Sequence, residues 1–312
     1  MESLIVAFNA VVPFIVYLLL GMISKRLKAV REPFLKELNG AAFKVFFPFI
    51  MFNNLYDVDF SALKGAGYVI FAIVSTLAVI ILAFIAVPFF VKENPRRGVV
   101  IQAIYRSNSV LYAIPLATSV LGQEGAAMAS IVVAFLVPMY NIVSVLILEY
   151  YSQSSVTAGK LILNILKNPL IIGAITGAIF NLSPLTMPEC LAGPISVLCS
   201  MATPLALFVL GGTLRFSDIR KNRVPLTVGI ALKLIVIPGI IVFIMSMMRM
   251  GPSELFVVFC MFATPVAAAS YPMAQSMGAD ADLAGEYVMI STLLSILTIF
   301  VWILILRNIG SI

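Results

Sequence analysis

The sequence predicts an all-α integral membrane protein. Ten transmembrane helices form two inverted five-helix repeats, with broken, crossing helices four and nine. Three observations predict this: the composition, ten apolar segments of membrane-spanning length, and an internal repeat of 156 residues. Of 312 residues, 62% are hydrophobic and 11% charged, against roughly 25% charged in soluble domains. Mean hydropathy is +1.10. A water-soluble fold cannot hide that much apolar surface, and disorder needs low hydrophobicity with high charge. The net charge of +6 is spread along the chain, which suits membrane topology and not a nucleic-acid-binding face. Histidine is absent, which excludes His-dependent triads and imidazole metal sites. Cys190, Cys199 and Cys260 sit in apolar runs without metal-ligand spacing and read as small buried hydrophobes.

A bilayer-crossing helix needs about 20 mostly apolar residues. Such segments run near 4–24, 36–56, 66–91, 96–121, 125–150, 161–182, 190–213, 224–248, 253–278 and 283–306. The first has no cation before it and too long an apolar run for a cleavable signal peptide. Lys25, Arg26 and Lys28 follow it and hold that end in the cytosol. With both termini outside the cell membrane, the cytoplasmic connections carry 14 lysines and arginines and the outer ones three. The connection before span ten holds Asp280, Asp282 and Glu286 without a cation. Connections are too short for a soluble domain. Gln153, Thr157, Lys160, Asn164 and Lys167 recur at helical spacing, which fits an interfacial helix or a span end with snorkelling lysines.

Self-comparison divides the chain into a first repeat (1–151), a short cytoplasmic linker (152–160) and a second repeat (161–312). At an offset of 156, Pro13 falls on Pro169, Gly21 on Gly177, Pro48 on Pro204 and Gly122 on Gly278. At 157, Pro115 to Ser119 falls on Pro272 to Ser276. Five spans per repeat is odd, so the second copy enters the membrane from the opposite side. Matched spans four and nine contain Pro115, Pro265 and Pro272, taken as helix breaks. Broken backbone is tolerated in a bilayer where it lines a cavity, so matched breaks point to a binding site.

The chain resembles the auxin efflux carrier family in its short prokaryotic form. The residues that carry the resemblance are Phe47-Pro48, Ser107-Asn108 with Pro115-Leu116, Pro138 to Asn141, Thr264-Pro265 through Gly278, and Ser291 to Ser295 with Thr298. The family fold, similar to that of bile-acid/sodium symporters, has ten spans with crossed helices four and nine. The resemblance implies secondary transport of a small organic anion, such as an auxin-like or dicarboxylic acid, and places Asn108 at the substrate carboxylate. It leaves a homodimer open. The long central loop of many plant members is absent, and span three offers only Ser75 and Thr76 where plant relatives carry part of a carboxylate–lysine pair.

The candidate substrate-binding residues are Asn108, Arg106, Ser107, Asn141, Thr264 and Ser270. Arg106 can grip a carboxylate bidentately or snorkel as an anchor. Asn108 can bind the ligand or cap a broken helix; Asn141 can contact substrate or pack helices. Lys44 and Lys233 lie inside spans and can both snorkel. No catalytic, cofactor or metal site is expected. No G-x-S-x-G, H-E-x-x-H or Walker A pattern occurs, so the sequence does not point to an enzyme. The alternative is a sodium-coupled symporter of the bile-acid type, which the lack of a core carboxylate disfavours. Partners are the organic anion and membrane lipid, not nucleic acid.

Overall fold

The computed structural model describes residues 2–56, 58–59, 66–152, 158–184, 186–213 and 222–310. Among these, every regular element is a helix. Helix α1 (Glu2–Arg26) is followed by α2 (Glu32–Ala41), which continues through a π-helical turn (Ala42–Phe46) into α3 (Phe47–Tyr56). Next come α4 (Gly67–Phe90), α5 (Asn94–Tyr105) and α6 (Ser109–Ser152). Helices α7 (Ala158–Lys167), α8 (Pro169–Leu182) and α9 (Glu189–Thr213) lead to α10 (Arg223–Ala231). A second π-helical turn (Leu232–Val236) joins α10 to α11 (Ile237–Met247), before α12 (Pro252–Ala263), α13 (Ser270–Ser276) and α14 (Ala281–Asn308).

The starts follow local chemistry. Prolines open α2, α5, α8 and α12 in the first turn, where a missing N–H leaves no bond unmade. Asn168 caps α8 by accepting from the Leu170 N–H at 3.0 Å, and Asp280 caps α14 by accepting from Leu283 at 2.9 Å. Asn168 and Pro169 therefore divide the predicted sixth span, 161–182, into α7 and α8. On α7, Ile162, Leu163 and Leu166 are exposed, and Asn164 Nδ2 donates to Glu149 Oε1 at 2.9 Å. The rest of the expected interfacial helix, 153–157, lies outside the described residues. So do most of the 152–160 linker and the loop cations Lys64, Arg215, Arg220 and Lys221.

Among the described residues, five helical stretches are long and apolar enough to cross a membrane: Gly67–Phe90, Ser109–Tyr151, Glu189–Thr213, Arg223–Met247 and Ala281–Asn308. Pro169–Leu182 and Pro252–Ala263 are apolar and shorter. On α4, Ile70, Val74, Ile81, Leu82, Ile85 and Phe89 are exposed, the pattern of a helix facing lipid. Helix α6 holds 44 residues but is interrupted at Gly122, whose φ of 66° and ψ of −151° belong to no helix. Gly278, just beyond α13, has a φ of 73°. Both positions favour glycine because a Cβ is strained there.

The helices pack in two groups. Helix α1 lies on α9 and α3 on α8, and α2 leans on α9. Helices α4, α5, α6, α12 and α14 build the second group, and α11 joins it through α12. Close approach in the first group depends on glycine. A Cβ on Gly21 would lie 1.9 Å from the Phe208 carbonyl oxygen, and one on Gly177 2.3 Å from that of Phe52. Small residues at such crossings let backbones touch where no hydrophobic effect drives association. The second group buries an almost continuous run on α12, from Leu255 to Ala263.

Candidate functional site

Two helices stop short and their ends meet. Helix α5 ends at Tyr105, and Arg106 turns extended with φ −77° and ψ 117°. Helix α12 ends at Ala263, with Thr264 extended at φ −76° and ψ 154°. Pro265 explains the second stop: it lacks an N–H, and its ring pushes the preceding residue out of the helical region. The two extended segments lie antiparallel, with Ser107 bridged to Val266. The Asn108 N–H donates to the Pro265 carbonyl at 2.9 Å, and the Val266 N–H to Ser291 Oγ at 3.0 Å. Backbone groups released by the helix ends thus find partners across the breaks.

These positions correct part of the sequence reading. Pro265 lies in a break, but Pro115 and Pro272 do not. The first break falls at Arg106–Asn108, and Pro115 sits inside α6. Pro272 is the third residue of α13, where the N–H has no intrahelical partner to lose. The bonds exchanged across the breaks, and not those prolines, fix where the helices stop.

The side chains at the first break are buried and polar. Arg106 is 3% exposed. It donates to Asn141 Oδ1, to Met273 Sδ at 2.7 Å and, through a long contact of 3.5 Å, to Ser144 Oγ. These contacts use three of the five N–H donors of a guanidinium. Asn141 is itself held, its Nδ2 donating to the Val137 carbonyl at 2.9 Å. Lys233, 1% exposed in the second π-helical turn, donates to Ser107 Oγ. Among the described residues neither cation has a carboxylate partner. The Tyr140 hydroxyl lies among those of Thr76, Ser107 and Ser109. Asn108 is 9% exposed, and its Nδ2 has no partner among the described residues.

A cavity of about 1220 Å³ opens beside this break. Phe14, Phe47, Met51, Ile114 and Leu207 supply apolar wall, and Arg106, Ser107, Asn108 and Asn141 form a polar end. Four of the six sequence-chosen residues therefore meet at one cavity. Thr264 and Ser270 do not line it; both are buried, with hydroxyls that lack partners among the described residues. In sequence nothing separates Lys233 from Lys44, which the structure leaves exposed, whereas Lys233 is buried at the break. Asn54 and Cys199 also line the cavity and carried no functional signal.

A second polar cluster lies where α5 starts. Arg96 pairs with Asp280 at 3.3 Å and donates to Asn222 Oδ1, and Asn222 Nδ2 donates to Glu286 Oε2 at 2.6 Å. Near it, α13 is tied to the first helix group. The Thr213 and Tyr271 hydroxyls are 2.6 Å apart, and Asn39 Nδ2 donates to the Pro272 carbonyl at 3.4 Å.

Long apolar helices, buried cations and a cavity at two facing helix breaks define a multi-pass membrane transporter. The comparisons give the family: residues 6–303 match the family model described as "Membrane transport protein", and the chain belongs to that family, of auxin efflux carrier type. It is also 26% identical over 301 residues to an uncharacterized transporter of Methanothermobacter thermautotrophicus, covering 96% of this chain and 98% of that one. The family is one of membrane transport.

Proposed function

We propose that the protein is a secondary, alternating-access carrier for a small organic anion, with a carboxylate as the recognised group. The observation that carries this is the pair of buried cations, Arg106 and Lys233, without a counter-carboxylate among the described residues, at a break that lines a cavity. An unpaired charge is expensive to bury. An anion in the cavity would offset that cost, with Asn108 Nδ2 as a ready donor. The apolar remainder of the wall suits the organic body of such a ligand. A coupling cation would have to share this break with the Lys233 ammonium, so the sodium-symporter reading has nothing to favour it.

The same reading includes ten spans in two inverted repeats. In support, Gly21 abuts the carbonyl of Phe208 and Gly177 that of Phe52. Both partners and both glycines are 156 residues apart, as are Gly122 and Gly278 with their positive φ. With both termini outside, the cavity-lining residues Asn54, Ser119 and Ser196 fall near the outer ends of their predicted spans, which supports a cavity that opens toward the exterior. Thr213–Tyr271 and Asn39–Pro272 then close the cytoplasmic side.

The test is a thermal-shift screen of the purified protein against small carboxylates, with sodium and pH varied. A ligand that binds only the folded state raises its melting temperature. Stabilisation by a carboxylate and not by its neutral amide is the expected result. Equal response to both overturns the anion reading.

A further inference from the structure

The way Arg106 is held carries an inference that rests on the anion-carrier reading and deepens it. A guanidinium this buried is ordinarily matched with a carboxylate. Here its three acceptors are an amide oxygen, a hydroxyl and a thioether, all neutral. Asn141 is the informative one, because aspartate has the same shape and would supply the missing charge. Its amide makes two bonds that only an amide can make together. Nδ2 donates to the Val137 carbonyl one turn back, and this turns Oδ1 toward Arg106. An ionised aspartate has no hydrogen for Val137. Arg106 and Asn141 both border the cavity, so the charge they leave uncompensated faces the space where cargo would sit.

We propose that Asn141 is a positioning residue that fixes the Arg106 guanidinium without neutralising it, and that this neutral clamp makes the cavity selective for anions. Cargo supplies the counter-charge that the protein withholds. With aspartate at 141 the guanidinium would be paired internally, and an entering carboxylate would meet a neutral pair with no charge left to compensate.

The experiment uses the purified full-length protein and the N141D, R106Q/N141D and N141L variants, with malonate, benzoate and indole-3-acetate as probes. Without any probe, N141D should melt at or above the wild type, because a buried cation gains its counter-ion. R106Q/N141D should melt lower than N141D, because the acid then lies buried alone. The probe that stabilises the wild type should lose roughly 30-fold or more in affinity for N141D. A wild-type response that persists undiminished in N141D overturns the clamp and leaves the anion reading standing. If no probe shifts the wild type, the anion reading falls for these acids. The pairing is then decided by probe-free melting: N141D below wild type overturns it, and N141D at or above wild type, reversed by R106Q, supports it. Should N141D not accumulate, N141L decides, since leucine offers no acceptor. A folded N141L with weakened probe binding supports the role, and unchanged binding overturns it.

Discussion

Replacing Asn108 with alanine separates a ligand contact from a structural one. The backbone of Asn108 holds the two breaks together, through its N–H on the Pro265 carbonyl at 2.9 Å and its carbonyl on the Tyr112 N–H at 3.2 Å. Alanine keeps both bonds. The side chain is 9% exposed, and its Nδ2 finds no partner among the described residues. A buried donor left unmet carries a penalty of about 1–3 kcal/mol, which alanine removes. Alanine also gives up whatever preference the position before α6 has for asparagine, about 1 kcal/mol. The two terms oppose each other, so the empty variant should melt within a few degrees of the wild type. The anion-loaded state behaves differently. Losing one hydrogen bond to a charged group costs about 1.5–3 kcal/mol, or roughly 10- to 150-fold in affinity. Calorimetric titration with a carboxylate that stabilises the wild type reads the second effect, and ligand-free melting reads the first. Unchanged affinity in a folded Asn108→Ala protein would refute the assignment of this side chain to the anion. A large fall in ligand-free melting would show that the amide holds the break.

Three further outcomes are expected. In a background without native cysteines, one introduced at Ser3 should react with an impermeant thiol reagent on intact cells, and one at Ser24 or Asn222 should not; silence at Ser3 together with labelling at Ser24 would invert the proposed orientation. Uptake into proteoliposomes should persist when choline replaces sodium at fixed pH and potential, since Lys233 already places a cation at the break; abolished uptake would refute sodium independence. Gly21→Ala should destabilise the protein by about 1–3 kcal/mol or more, because its Cβ would lie 1.9 Å from the Phe208 carbonyl, and Gly177→Ala should act similarly from 2.3 Å. Melting of either variant at the wild-type temperature would show that these helix contacts are looser than described.

How far the sequence reached follows from which forces leave a periodic trace. Membrane-spanning length shows in composition, because lipid demands about 20 apolar residues wherever the chain crosses. All five long apolar stretches, from Gly67–Phe90 to Ala281–Asn308, fall on segments chosen that way. The breaks were legible as a region but not as residues. Proline marks where a helix is unable to continue undisturbed, yet it is harmless in a first turn, and Pro272 occupies one. The first break has no proline at all and depends on a bond from Asn108 to a carbonyl 157 residues away. Lysine placement was the least legible feature. Lys44 and Lys233 both sit in π-helical turns with similar apolar neighbours in sequence. Only the tertiary neighbour distinguishes them: Lys44 stays exposed, whereas Lys233 finds Ser107. A side chain with four methylenes can bury its charge or withdraw it to an interface, and the sequence leaves both open. The decision lies with the hydroxyl that the first break presents. That same break brings Arg106 against Asn141 beside the cavity and offers Ser107 to Lys233, so the departure from helical backbone is what gathers two cations and their neutral acceptors at one place.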